Sequence, residues 1–371
     1  MRIFAHSKNL PTAKWPVLVI LMVTLTACQP SLATKTVDMP EPSPTQPAPA
    51  ASATAEQPTS PPQPTLTLTL APQSPGVPQL LRETAITYPN RLIWSGDGQR
   101  LGVFAEGGFT LFNAETLEIL ATRVLQSPAY TLDFSPDGKT FAFTPDGQSI
   151  QLEDLDNEQI LQTIQPGSTF QRAIFSPDGR WLAVDSMEQW AYALWEVASG
   201  QPGAVLTGFE TAAPVYAADF SASGNKLIWH ARGTIQVMDI ASGTLGPVMG
   251  HEDFISAFAL SPDDATLATA AGGTLNGEFT ALINFWNPES GERVAAYPQA
   301  RSASAMTYSP DGAVIAVAVG GDVLLLDPAT GQSLQTFNAA GDAVTSLGFS
   351  PDGSRLATTG SDGTLRVWSL Y

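Results

Sequence analysis

The stretch Ala343-Val344-Thr345-Ser346-Leu347-Gly348-Phe349-Ser350-Pro351-Asp352-Gly353-Ser354-Arg355-Leu356-Ala357-Thr358-Thr359-Gly360-Ser361-Asp362-Gly363-Thr364-Leu365-Arg366-Val367-Trp368-Ser369 decides how the chain folds. It opens on an alternating apolar run, 343–349, the period-two signature of a half-buried strand. Pro351-Asp352-Gly353 then reverses the chain: proline presets φ, aspartate bonds nearby backbone, and glycine accepts positive φ. A second strand is expected over 355–359, a tight Asp362-Gly363 turn follows, and a third strand is expected over 364–370.

The same unit recurs along the sequence. An aromatic or apolar residue followed by Ser-Pro-Asp-Gly, or a near variant, stands at 94–98, 134–138, 175–179, 220–224, 260–264, 308–312 and 349–353. The serines at 95, 135, 176, 221, 261, 309 and 350 are 40, 41, 45, 40, 48 and 41 residues apart. Several copies add a fourth strand after an Ala-Ser-Gly or Pro-Ala-Thr-Gly turn, and helical periodicity is nearly absent. Four short antiparallel strands in each unit of about 42 residues make a propeller blade. The expected fold is therefore all-β: a seven-bladed β-propeller of four-stranded antiparallel blades over 79–371.

The ends of the third strands, Leu194-Trp195-Glu196, Val237-Met238-Asp239, Phe285-Trp286-Asn287, Leu326-Asp327 and Val367-Trp368-Ser369, resemble the WD-repeat β-propeller family. Gly250-His251 matches the Gly-His that opens a typical repeat, and Ser361-Asp362-Gly363-Thr364 matches its later turn. No unit holds the family's full His, Asp, Ser/Thr and Trp network, and Ala340 stands where the seventh unit would carry His. The blades are thus expected to rest on apolar packing more than on a buried polar network. The resemblance also implies ring closure: the last unit stops after a third strand, so residues 79–86 are expected to pair beside 365–370 and remove two free edges.

Upstream of the repeats, Arg2, Lys8 and Lys14 precede the apolar run 15–27. Thirteen helical residues reach roughly 20 Å, short of a ~30 Å hydrocarbon core, so the run reads as a signal-peptide core rather than a span. Leu25-Thr26-Ala27-Cys28 resembles the lipobox of bacterial lipoproteins, and Cys28 is the sole cysteine of the chain. That resemblance implies a signal peptide over 1–27, cleaved ahead of a lipidated Cys28 that anchors the protein to a membrane at the cell envelope. Residues 40–78 contain 12 prolines and two charged side chains. Such a segment cannot build a core, so 28–78 reads as a disordered Pro/Thr/Ser-rich tether.

The 371 residues carry 17 Lys+Arg against 35 Asp+Glu. That acidity argues against nucleic-acid binding, which needs a basic face to release counterions. Loss of the leader removes three cations and sharpens the imbalance to 14 basic against 35 acidic residues. One cysteine and three histidines, of which His6 lies in the leader, give no metal-ligand set, and Gly-x-Ser-x-Gly is absent. No cofactor, metal or catalytic residue is expected. His230 reads as structural. So do Trp181, Trp190, Trp195, Trp286 and Trp368, and Asp154-x-Asp156-Asn157-Glu158 reads as a solvated hairpin rather than a calcium loop.

One unit departs from the repeat. The 48-residue spacing reflects an insertion, 271–279, between the second and third strands of the fifth unit. In propellers of this kind that connection shares a face with the loop entering the first strand. His251, Glu252, Asp253, Phe254, Leu275, Asn276, Glu278 and Phe279 are therefore the candidate partner-binding patch, with a phenylalanine as anchor and carboxylates at the rim. A neutral length variant in a permissive loop is the other reading. The function expected is a monomeric, lipid-anchored, extracytoplasmic and non-enzymatic scaffold for a protein partner. The alternatives are an enzyme or small-ligand binder using the central channel, or an envelope assembly factor.

Overall fold

The computed structural model describes residues 76–105, 108–124, 133–170, 172–186, 191–206, 217–231 and 233–371. The leader, Cys28, the tether up to residue 75 and Trp190 lie outside the described residues.

Seven antiparallel sheets follow one another over 89–124, 134–164, 173–206, 217–250, 255–299, 305–338 and 344–369. They are numbered here as blades one to seven. Each has four strands in simple up-and-down order except the second, where an isolated Phe134–Phe141 bridge stands at the place of the innermost strand. The seventh blade takes its outer strand from the front of the domain. Gln79–Ala85 runs antiparallel to Thr364–Ser369, from Gln79 opposite Ser369 to Ala85 opposite Thr364. Among the described residues there is no helix.

Ring order follows from where alternate side chains go. In the strand Ile315–Val319, Ala316 and Ala318 enter a buried cluster with Val344, Leu347 and Trp368 of blade seven. Ile315 and Val317 enter another with Ala268, Ala270 and Phe285 of blade five. A sheet buried on both faces thus splits its period-two pattern between two seams. Seven such clusters fill the seams, including the closing one, where Leu92, Trp94 and Leu101 meet Ala357, Leu365 and Val367. At about 1.5–3 kcal/mol per buried large apolar side chain, these seams carry the fold.

The repeated serine does more than its place in a turn motif suggests. In blade two the Ser135 hydroxyl donates to Asp137 at 2.5 Å and accepts the Thr140 amide at 2.9 Å. Ser176, Ser261, Ser309 and Ser350 repeat both bonds. Gly138 and its counterparts take positive φ, and in blade five Asp264 takes that conformation (φ 59°) in place of glycine.

Polar side chains at the inner strands tie several blades to the next. Asp133 accepts the Phe175 amide at 2.9 Å and pairs with Arg91 at 3.5 Å. Ser256 donates to the Ala303 carbonyl and Ser304 to the Val344 carbonyl, each at 2.7 Å, while Ser346 accepts the Leu92 amide at 3.1 Å.

Candidate functional site

The 271–279 insertion is a hairpin extension rather than a loop. Leu267–Leu275 and Glu278–Trp286 are nine-residue strands paired along their whole length, from Leu267 opposite Trp286 to Leu275 opposite Glu278. The link between them is Asn276-Gly277, with φ of 53° and 86°. Asn-Gly is the pair that tolerates two successive positive φ values, and the twist it imposes matches the strands. The extra length therefore projects as a ribbon.

The loop entering blade five braces this ribbon. Glu252 accepts from both the amide (3.0 Å) and the hydroxyl (2.7 Å) of Thr274. Phe279 lies across Gly272, where an added Cβ would come 2.8 Å from its Cζ and 2.7 Å from an Asp253 carboxylate oxygen. Glycine at 272 is thus what lets the ring and the acid approach the strand so closely. Asp253 also accepts the Phe254 amide at 2.7 Å, fixing the turn into the first strand. The Phe254 ring meets His230 edge-on, with centroids 5.9 Å apart, and Phe258 flanks the same imidazole at 5.5 Å.

The structure brings Glu252, Asp253, Phe254, Leu275, Asn276, Glu278 and Phe279 to one end of blade five. Phe254 is 48% exposed and Phe279 is 64% exposed. Glu252, Asp253, Asn276 and Glu278 are exposed around them, and Leu275 is half-buried.

His251 serves a different purpose. Its Nε2 lies 2.8 Å from the Thr269 hydroxyl, which also accepts from Trp286 Nε1 at 3.0 Å. Its Nδ1 is buried near the Gly233 and Met249 carbonyls without a well-formed bond to either. Two carbonyls facing Nδ1 favour the proton there, so Nε2 accepts the threonine hydroxyl. Burial holds the imidazole down to about 4, helped by the Arg293 charge and opposed by those backbone contacts, so the ring is neutral. His251 is a packing residue joining blades four and five, and the patch is better described without it.

Thr269 is the functional-network residue that sequence reasoning missed. The signal was available, since a threonine lies between a Gly-His and a strand-ending tryptophan. A sister pair recurs in blade seven, where Trp368 Nε1 donates to Thr358 at 3.0 Å. There Asp362 accepts from the Gly341 amide at 2.8 Å, from Thr364 and from Arg366. The polar networks are incomplete, yet present in two blades. The expectation of apolar packing holds in weight but not to the exclusion of these bonds.

The other candidates are plainly placed. His230 is buried. Trp195, Trp286 and Trp368 are buried in the seams, and Trp181 packs at the seam between blades three and four beneath Arg180. Asp154 accepts the Asp156 and Asn157 amides of its own turn, while Asp156 and Glu158 face Arg100 and Arg123.

The topology is that of a seven-bladed β-propeller, and the threonine–tryptophan bonds and the Gly-His entry are similar to those of WD repeats. Residues 241–276 and 331–369 match the WD domain, G-beta repeat family. Over 205 residues the chain is 24% identical to telomerase protein component 1 of Rattus norvegicus, covering 53% of this chain and 7% of that protein. Over 141 residues it is 28% identical to transducin beta-like protein 3 of Bos taurus, covering 37% of this chain and 17% of that one. The chain thus spans less than a fifth of the length of these curated relatives.

Proposed function

We propose that the protein is a lipid-anchored, extracytoplasmic scaffold, without catalytic activity, that holds a basic protein partner on the blade-five ribbon. The observation that carries this reading is the pair of exposed rings, Phe254 and Phe279, held on a braced strand platform and rimmed by Glu252, Asp253 and Glu278. Interfaces concentrate their binding energy in a few aromatic anchors surrounded by polar contacts that exclude water. The acidic surplus of the chain favours a basic partner and steers its approach. The sole cysteine, in a lipobox-like setting, supports the anchor, and the proline-rich segment after it would set the propeller off from the membrane. One relative is by name a protein component of telomerase, in keeping with use of this fold in assemblies.

The test is crosslinking in intact cells followed by identification of what is captured. Phe279→Ala should remove most of the specific capture while leaving the melting temperature unchanged, and Cys28→Ala should move the protein to the soluble fraction. Capture that is indifferent to Phe279→Ala would overturn the interface, and a membrane-bound Cys28→Ala would overturn the anchor.

A further inference from the structure

A second site lies at the far end of blade five from the ribbon, on the seam with blade six. The strand Leu267–Leu275 leads from one to the other, roughly 26 Å at ~3.3 Å per residue. There the Ser-Pro turns of the two blades and the Pro328 turn of blade six enclose a cavity of about 440 Å³. Blade five contributes Pro262 and Asp263 to its lining, and blade six contributes Tyr308, Asp311 and Pro328.

Tyr308 is the residue that departs from the repeat. At the position leading into each turn four blades carry Phe134, Phe175, Phe220 and Phe349, and two carry Trp94 and Leu260; blade six alone has tyrosine. Its ring packs as phenylalanine would, among Ala268, Phe285 and Met306. It is 8% exposed, and its hydroxyl is buried without a hydrogen-bond partner. A hydroxyl left so destabilises the fold relative to phenylalanine, which marks it as a group awaiting a ligand. It lies on the Asp263 side of the cavity: burial raises it first, and the Asp263 charge adds to the rise. The two carboxylates are also only half engaged. Asp263 gives Oδ1 to the Ser261 hydroxyl and the Ala265 amide, and Asp311 gives Oδ1 to the Ser309 hydroxyl and the Ala313 amide. Among the described residues no cation lies within ion-pair distance of either acid. Two anionic oxygens and one hydroxyl thus border the same cavity, whose lining includes no cation.

We propose that this cavity receives the guanidinium of an arginine side chain from a protein partner, which pairs with Asp263 and Asp311 and donates to the Tyr308 hydroxyl. A planar fork of five donors can serve two carboxylates and a hydroxyl together, its weak hydration suits a half-enclosed site, and its faces can rest on Pro262 and Pro328. Free arginine would bring an α-carboxylate for which the lining offers no cation, whereas within a protein chain that group is a neutral peptide. The site does not depend on the ribbon, and either could bind without the other.

The experiment is a calorimetric titration of the full chain at pH 7.5 and low ionic strength with the capped peptide acetyl-Gly-Arg-Gly-amide. The same peptide with citrulline or with lysine in place of arginine, and free arginine, are titrated alongside. Saturable binding of the arginine peptide is expected. It should weaken about tenfold or more, the worth of a hydrogen bond to a charged group, for the citrulline peptide and for Tyr308→Phe, Asp263→Asn or Asp311→Asn. Tyr308→Phe restores the residue that four other blades use and removes an unpaired polar group, so it should melt no lower than the parent. Each asparagine keeps the oxygen that accepts the turn bonds. Loss of binding in these variants therefore reports the site rather than the fold, and Phe279→Ala should leave the titration unchanged. Absence of saturable binding, equal binding of the citrulline or lysine peptide, or indifference to Tyr308→Phe would each overturn the proposal. So would free arginine binding as tightly as the peptide, which would assign the cavity to an amino acid.

Discussion

Thr269 shows how one hydroxyl can hold a seam. It accepts from Trp286 and donates toward His251, so it joins the third strand of blade five to the loop that leaves blade four. Thr269→Val keeps the shape but leaves an indole N–H and an imidazole nitrogen buried without partners. Losing such partners costs about 1–3 kcal/mol, which chemical denaturation of the full chain should register as a lower midpoint with little change in slope. An unchanged midpoint would mean that water replaces both bonds. Residues of this kind were only half legible. Gly250-His251 and Trp286 stand out in the sequence, whereas Thr269 is one threonine among many until pairing sets it beneath the tryptophan. Asp133 and Asp219 are likewise indistinguishable as sequence, each preceding Phe-Ser. Arg91 sits close enough to pair with one and not the other, and that difference arises from the ring.

Strands and turns were the most legible level, because they rest on local chemistry. Ser-Pro-Asp-Gly carries its own hydrogen bonds and its positive φ wherever it occurs, so seven copies mark seven reversals. The fifth blade shows the limit. An insertion reads as a loop when only its length is seen, yet Asn276-Gly277 is a two-residue hairpin turn and the flanking residues pair as strand to the end. The outer strand Gln79–Ala85 is another element whose role is set at a distance. Its side chains are largely exposed, so its contribution lies in the backbone pairing with Thr364–Ser369 and in the Glu83–Arg366 contact at 3.2 Å. Deleting residues 76–85 should remove a few kcal/mol of stability, on the order of 1 kcal/mol per lost hydrogen bond net of solvation. It would also leave a strand edge open to self-association. Thermal melts paired with light scattering would show both effects; a variant that melts as the parent does and stays monodisperse would mean that the closing strand is dispensable.

Across the whole molecule, opposed titrations set the response to acid. Burial holds His230 and His251 down to about 4; the charges of Arg172 and His251 add to this at His230, and that of Arg293 at His251. The unfolded chain protonates them nearer 6.5, so both cost stability as pH falls from 6.5 toward 4. Asp219 works the other way. Raised from 3.8 to about 6, it takes its proton in the folded state first and adds stability as pH falls from 6 toward 3.8. Asp219→Asn should therefore melt slightly higher than the parent at pH 7.5, the exposure of the side chain keeping the gain small. It should also lose stability more steeply between pH 6.5 and 4.5. Calorimetric scans across that range check both signs, and a variant that melts lower at pH 7.5 would refute the raised Asp219 carboxyl.

The sequence by itself determined what depends on neighbours along the chain: the number of blades, the positions of the seven repeated serine turns, the alternation that makes strands, and the acidic balance of the chain. Local conformational preference and period-two patterning are enough for that, and seven repetitions make the signal hard to miss. Only the tertiary structure decided which polar groups acquired partners. Closing the ring brings Arg91 within ion-pair distance of Asp133 and, among the described residues, no cation that close to Asp219. It turns His251 inward onto Thr269, and it lays Phe279 over Gly272 beside Asp253. The physical reason is that a buried charge or an exposed ring takes its meaning from groups tens of residues away, and their distances exist only once the seams have packed.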